Sequence, residues 1–233
     1  MKRTFVNLFF PGVVVALLFS GFAFGQGNVV YQETFDYPDG VLPVNWWSEG
    51  VPAEIRGGRL FVDADCIQPR VSTVWLNREF SGNIIVTFDV QVVSSADTSN
   101  NINLFLLYSD PSGKPLIETR EVRANGNYNH YHQLNGYIFT QLANGQEIPA
   151  RFRFRYNPGF ILLHEKFEYE CKAGIKYQVH ITVKNGLVEY RVNGERIFGE
   201  MLDAAYIHPK GLVGFRTFHT ALWWDNLKIE QLK

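Results

Sequence analysis

Tyrosine and histidine side chains are concentrated in one short segment, residues 127–132. A phenol hydroxyl and an imidazole can each donate or accept a proton when neighbouring groups adjust their pKa. Extended backbone would place Tyr128, His130 and His132 on one face of the segment and Tyr131 on the other. We interpret these four residues as candidate catalytic acids and bases. A purely structural role for hydrogen-bonded histidines is the alternative.

Three arginines alternate with two phenylalanines in the run RFRFR, residues 151–155. Successive side chains of a β-strand point to opposite faces, so the phenylalanines should enter the core and the arginines should share the outer face. A guanidinium group binds a carboxylate through two parallel hydrogen bonds. The run therefore predicts a surface able to hold an acidic group, with an ordinary solvated sheet face as the alternative.

Further candidate contacts flank these two segments. Aromatic rings present apolar faces on which sugars stack, and an adjacent Trp pair in a strand must place one ring outward. Arg123 precedes the tyrosine and histidine segment, whereas His219 precedes the Trp pair. The predicted substrate-binding residues are Arg123, Asn135, Arg151, Arg153, Arg216, His219, Trp223 and Trp224.

These residue types suit β-elimination on an acidic glycan, in which a base removes the proton beside a carboxylate that arginine neutralises. Two alternatives stay open. Glycoside hydrolysis normally uses two carboxylates, for which Glu165, Glu168 and Glu170 are the nearest group in the sequence. A carbohydrate-binding module would use the same aromatic and arginine side chains without turnover. The prediction is a carbohydrate-active protein, with an elimination enzyme as first choice.

The sequence predicts no cofactor and no metal centre, because it has no phosphate-binding glycine motif and no His-Glu-x-x-His motif. Asp36 and Asp225 carry the carboxylate oxygens that a structural calcium ion would need. A net charge of −1 without charged runs argues against nucleic acid and anionic membranes as partners. Cys66 and Cys171 would form either a disulfide or two free thiols.

Residues 1–25 have the form of a secretory signal peptide. Lys2 and Arg3 precede an apolar stretch that is shorter than a membrane span and that ends in Ala-Phe-Gly. We expect cleavage before Gln26, a secreted or periplasmic location and no membrane attachment afterwards.

The rest of the chain is typical of an all-β fold. Twelve β-rich runs are separated by Gly, Asn, Asp and Pro, with the clearest hairpin at Asn185-Gly186. These runs predict one two-sheet antiparallel sandwich over residues 26–233, with a short helix near residues 200–206. The predicted strands are 29–35, 59–62, 72–76, 84–93, 102–108, 136–140, 151–156, 160–164, 177–184, 187–192, 211–218 and 222–230.

Several runs resemble the concanavalin A-like lectin and glucanase superfamily. They are ETFD (33–36), NWW (45–47), VNG (192–194), GLVGFRT (211–217) and WWDNL (223–227). A closer resemblance, to secreted YesU-like families associated with sugar degradation, rests on YHQLN (131–135), YIFT (137–140), RFR (151–153) and PGF (158–160). The first resemblance implies a jelly-roll sandwich. The second implies carbohydrate processing but assigns no catalytic residue.

Overall fold

The computed structural model describes residues 27–143, 149–167 and 169–233, so the predicted signal peptide and Glu168 lie outside the described residues. Within them the chain forms fifteen strands and three short 3₁₀ helices. The strands are β1 (Asn28–Glu33), β2 (Trp46–Gly50), β3 (Glu54–Ile55), β4 (Leu60–Asp63), β5 (Val71–Ser81), β6 (Ile84–Ser94), β7 (Ile102–Ser109), β8 (Asn135–Leu142), β9 (Arg151–Asn157), β10 (Ile161–Phe167), β11 (Lys176–Lys184), β12 (Leu187–Val192), β13 (Glu195–Met201), β14 (Lys210–Phe218) and β15 (Ala221–Gln231).

The strands form two antiparallel sheets. Sheet A has the order β13-β12-β11-β6-β15-β4-β3, and β1 pairs with β15 as well. Sheet B has the order β10-β9-β8-β7-β14-β5-β2. The prediction of a two-sheet antiparallel sandwich is therefore confirmed.

Alternating side chains build the core between the sheets. Phe152 and Phe154 of β9 are fully buried, as the alternation with arginine predicts. Phe215 of β14 stacks on Trp224 of β15 with ring centroids 5.0 Å apart, which joins the centres of the two sheets. The hairpin at Asn185-Gly186 has φ values of 49° and 85°. Both values are positive, as a type I′ turn requires.

Three aspects of the local structure differ from the sequence prediction. The structure adds the strands β2, β3 and β13. The residues predicted as a short helix near 200–206 belong partly to β13, and only Ala204–Tyr206 form a 3₁₀ turn. The tyrosine and histidine segment is not extended. It forms a 3₁₀ helix, Tyr128–Gln133, whose preceding Asn127 side chain accepts a hydrogen bond from the Asn129 backbone N–H.

Residues 110–134, the covering segment, leave the sheet after β7 and cross the outer face of sheet B. They close a second apolar cluster on that face, separate from the main core. Gly214 leaves room for this cluster, since a Cβ there would lie 2.4 Å from the Trp75 ring. The cluster contains Trp47, Trp75, Phe105, Tyr108, Leu116, Tyr131, Leu134 and Ile138.

Both cysteines are free thiols in the described structure. Cys66 is exposed, whereas Cys171 is buried. Burial raises the pKa of the Cys171 thiol to about 12, so this thiol stays protonated. Among the described residues, none of the helices is long and apolar enough to span a membrane.

Candidate functional site

A row of polar side chains crosses the outer face of sheet B from one edge strand to the other. Each member is directly paired with the next, so all of them point to the same side of the sheet. Strands lie about 4.8 Å apart, so this polar row is about 29 Å long. Its members, from β10 to β2, are Glu165, Arg153, Thr140, Asn103, Arg216, Thr73 and Glu49.

Glu49 closes the β2 end of the polar row beneath the covering segment. Its carboxylate is buried and accepts hydrogen bonds from Trp75 Nε1 at 3.0 Å and from Trp47 Nε1 at 3.3 Å. The covering segment supplies the Tyr131 hydroxyl at 2.8 Å and Arg123 Nε at 3.1 Å. A buried carboxylate with these partners is satisfied, so Glu49 fastens the segment to the sheet.

Arg216 lies where the covering segment ends and the open part of the row begins. Its guanidinium donates to Thr73 Oγ1 at 2.6 Å and to the Gly126 carbonyl at 3.0 Å. Its Cζ atom lies 4.7 Å from the ring centroid of Tyr128 and 4.9 Å from that of Tyr131. Burial lowers the pKa of Arg216. An anion that reached this guanidinium would therefore stabilise its charged form.

Beyond Arg216 the polar row opens into a cleft of about 230 Å³. Tyr128 of the covering segment and Phe218 at the end of β14 contribute aromatic surface to its wall. The described lining contains arginine, amide and hydroxyl groups and no carboxylate. The lining residues are Ser99, Asn101, Asn103, Tyr128, Thr140, Leu142, Arg153, Arg216 and Phe218.

Three arginines at or beside the cleft form no ion pair with an acidic group of the described residues. Arg151 forms an ion pair with Glu165 at 3.1 Å. No Asp or Glu oxygen of the described residues lies within 4.0 Å of Arg153, Arg155 or Arg216. Burial and the neighbouring guanidinium groups of Arg155 and Arg151 lower the pKa of Arg153 to about 10. The cleft is therefore suited to an anionic group.

Two candidate acid-base groups meet beside the cleft. The Tyr128 and His132 rings are 4.5 Å apart, and His132 also stacks on Phe160 at 3.8 Å. Burial, with the positive charges of Arg216 and Arg155, lowers the pKa of His132 to about 4. Burial raises the pKa of Tyr128. At pH 7 the histidine is therefore neutral and the tyrosine is protonated.

The structure brings part of the predicted site together. Tyr128, Arg153 and Arg216 line the cleft. His132 contacts Tyr128, while His130 lies on the same 3₁₀ helix and is half-buried outside the cleft lining. Arg151 is on the same sheet face but is paired with Glu165 as described above.

His219 follows the cleft residue Phe218 in the turn after β14. Its ring stacks on Phe218 with centroids 3.8 Å apart, and its Nδ1 atom is bound to the Asp97 carboxylate. His219 therefore supports the rim, as a neighbour of the lining.

Two of the predicted site residues, Tyr131 and Arg123, are buried beside Glu49. Tyr131 is fully buried because it is the member of the 3₁₀ helix that turns towards Glu49. Arg123 is buried by its ion pair with the same carboxylate, at 3.1 Å from Nη2. Neither side chain lines the cleft, so the structure does not support the predicted catalytic role of Tyr131 or the predicted substrate contact of Arg123.

Three further predicted contacts lie elsewhere. Asn135 is five residues along β8 from Thr140, which places it about 17 Å away, and it donates to Ser109 Oγ. Trp224 is fully buried in the core. Trp223 points outward from sheet A, beneath the Arg59 guanidinium at 4.5 Å, and so lies on the opposite side of the sandwich from the cleft. The predicted alternation along β15 is confirmed. Its outward side chains lie on the outer face of sheet A, however, whereas the cleft lies on the outer face of sheet B.

Sequence reasoning missed Glu49, Asn103, Thr140 and Phe218. A weak signal exists for Asn103, which is a polar residue within the otherwise apolar strand β7. For metal binding, the described residues contain no group of three His, Cys, Asp or Glu side chains placed to hold an ion. Asp36 and Asp225 gain no third ligand of these types there, and a calcium ion at this pair stays a prediction.

The fold and this cleft define a concanavalin A-like, galectin-like jelly-roll sandwich with a cationic site on the outer face of one sheet. Residues 67–227 match the model of the family described as Domain of unknown function (DUF6250), and the chain belongs to that family. None of the curated proteins compared matches the chain.

Solved structures share the fold at low sequence identity. A Bacillus subtilis protein of unknown function with a galectin-like fold has a TM-score of 0.73 and 19% identity, over 88% of this chain and 97% of that chain. The carbohydrate-binding module CBM66 from Bacillus subtilis has a TM-score of 0.57 and 12% identity, over 83% and 100%. A Bacillus licheniformis beta-glucanase has a TM-score of 0.57 and 9% identity, over 89% and 100%. These similarities show the fold alone.

Proposed function

We propose that the cleft binds an acidic carbohydrate and that the protein cleaves it by β-elimination. The observation that carries this proposal is that Arg153 and Arg216 in the cleft lining, and Arg155 near Tyr128, form no ion pair within 4.0 Å among the described residues. A sugar carboxylate would supply the missing negative charge. The similar sandwich of a carbohydrate-binding module supports a sugar as the ligand.

The side chains in and beside the cleft fit the steps of elimination. The proton leaves the carbon beside the carboxylate, the C–O bond to the next sugar breaks, a C=C bond forms and the leaving oxygen takes up a proton. Arg153 would neutralise the carboxylate and so acidify the neighbouring C–H bond. His132, neutral at pH 7, can accept a proton, and protonated Tyr128 can donate one to the leaving oxygen.

Hydrolysis has less support from these residues. A two-carboxylate mechanism needs a pair of acidic groups on either side of the scissile bond. In the described structure Glu165 is paired with Arg151, Glu49 is enclosed beneath the covering segment, and the cleft lining has no carboxylate. Binding without turnover is the remaining alternative, and the experiment below distinguishes it.

We also propose that the protein acts outside the cytoplasm, on the basis of the predicted signal peptide. The resemblance to the secreted YesU-like families supports a role in sugar degradation. Secretion is tested by expressing the full chain and locating the product, with Gln26 as the expected first residue of the mature protein.

The activity test uses the mature protein with a panel of acidic and neutral glycans. Ultraviolet absorbance reports the unsaturated product of elimination, and reducing ends report cleavage of either type. We expect absorbance growth on an acidic glycan and its loss in Tyr128→Phe and in His132→Ala. Activity should be retained in Tyr37→Phe, which alters an exposed tyrosine outside the cleft lining. Reducing ends without absorbance would contradict elimination, whereas binding without product would make the protein a binding module. Failure to bind any acidic glycan would contradict the whole proposal.

A further inference from the structure

We infer that the cleft recognises the end of an acidic glycan chain and excludes chain interiors. This inference rests on the proposed function and concerns how the same site selects its ligand. The observation behind it is that the polar row, which crosses all seven strands of sheet B, is closed at its β2 end by the covering segment.

The covering segment blocks the row over three strands. At β14 the Gly126 carbonyl accepts a hydrogen bond from Arg216 at 3.0 Å. At β5, the next strand, Thr73 is fully buried. At β2, Tyr131 and Arg123 hold Glu49. A glycan in the cleft therefore cannot continue along the polar row past Arg216.

Hydrogen bonds attach the covering segment to sheet B on its β2 side and on its β9 side. On the β2 side, the Gly50 N–H donates to the Ala124 carbonyl at 2.9 Å. On the β9 side, the Gly159 N–H donates to the His132 carbonyl at 2.9 Å, and Asn157 Nδ2 donates to the Tyr131 carbonyl at 3.2 Å. The hydrogen bond from Asn157 is buried and therefore costly to break, so the segment acts as a fixed wall.

The size of the cleft agrees with a chain end. Its volume is about 230 Å³. Pockets for drug-sized ligands begin at roughly 300 Å³, so this cleft is smaller than they are. One acidic sugar ring would fill it, with Tyr128 at the closed side.

The rim of the cleft offers a place for the next sugar. The Phe218 ring lies there, is 45% exposed and is supported from behind by His219. An exposed aromatic ring held in this way is a platform for the apolar face of a sugar. The second sugar of a bound chain would therefore stack on Phe218 while the terminal sugar occupies the cleft.

The test compares short and long fractions of one acidic glycan that the protein binds, at matched chain concentration. We expect the same number of protein molecules bound per chain for both fractions, measured by calorimetry and by sedimentation. Bound protein that rises in proportion to chain length would overturn end recognition while leaving acidic-glycan binding intact. Absence of binding to every acidic glycan would overturn the proposed function together with this inference.

A pair of variants tests the rim platform independently. Phe218→Ala should weaken binding of an acidic oligosaccharide by about 3- to 10-fold more than it weakens binding of the single acidic sugar, because the second sugar loses its stacking surface. Phe167→Ala alters a comparably exposed ring on β10 and should change neither affinity. Equal weakening of the single sugar and the oligosaccharide by Phe218→Ala would contradict the placement of the chain.

Discussion

Replacing Tyr131 by phenylalanine removes one hydroxyl from the enclosed end of the polar row and keeps the ring in its place among Trp75 and Phe105. The lost hydrogen bond, 2.8 Å long, joins a fully buried phenol to the carboxylate of Glu49. Hydrogen bonds to charged groups contribute about 1.5–3 kcal/mol to stability. Each kcal/mol shifts Tm by about 2–4 °C in a protein of this size, so Tyr131→Phe should lower Tm by roughly 3–12 °C.

Urea and thermal unfolding of the mature protein at pH 7, followed by circular dichroism, measure this loss. The slope of the free energy of unfolding against urea should be unchanged, because the variant exposes the same surface on unfolding. Tyr37→Phe is the matched control. Its hydroxyl also donates to a carboxylate, that of Glu33 at 3.2 Å, but it is exposed. Loss of this exposed hydroxyl should cost less than about 0.5 kcal/mol. Equal effects of the two variants would refute the role assigned to Glu49.

Three more outcomes are expected. Arg153→Met should weaken binding of an acidic glycan by about 10- to 100-fold and leave neutral glycans unaffected, as calorimetry would show. Nuclear magnetic resonance of the His132 ring should report a pKa of about 4. The free energy of unfolding should fall as pH drops from about 6.5 to about 4, because His132 takes up its proton at higher pH in the unfolded chain than in the folded one. Burial would raise the pKa of Asp97, but hydrogen bonds from Ser99 and His219 outweigh it and lower the pKa to about 2. The stability that Asp97 contributes is therefore present above the ordinary carboxyl pKa and is lost as pH falls towards 2, and Asp97→Asn should remove this pH dependence in acid unfolding curves.

Sequence patterns predict the structure correctly where a feature depends on a single strand or turn. The alternation of arginine and phenylalanine in β9 correctly places Phe152 and Phe154 in the core, and Asn185-Gly186 correctly marks a hairpin. Strand β2 escapes prediction because both Trp46 and Trp47 are apolar, although they face different clusters, so no alternation is visible.

The site depends on the register between paired strands. The alternation of residues within one strand carries no information about that register. Asn103 and Thr140 become neighbours of Arg153 and Arg216 only through the pairing of β7, β8, β9 and β14. The conformation of the Tyr128 segment likewise follows from a contact with Glu49, which lies far earlier in the chain. Tertiary contacts of this kind override local propensity, so a 3₁₀ helix forms where the sequence predicts an extended segment.

The position of β15 in sheet A limits when the protein can fold. This strand, the last of the fold in chain order, pairs with β6, β4 and β1, which come from the first half of the chain. A growing polypeptide on the ribosome therefore cannot complete sheet A before residues 221–231 have been synthesised. Such distant pairings slow folding and keep the polypeptide unfolded for longer. A delay of this kind would suit the export proposed above, because a membrane translocation channel accepts chains that have not yet folded.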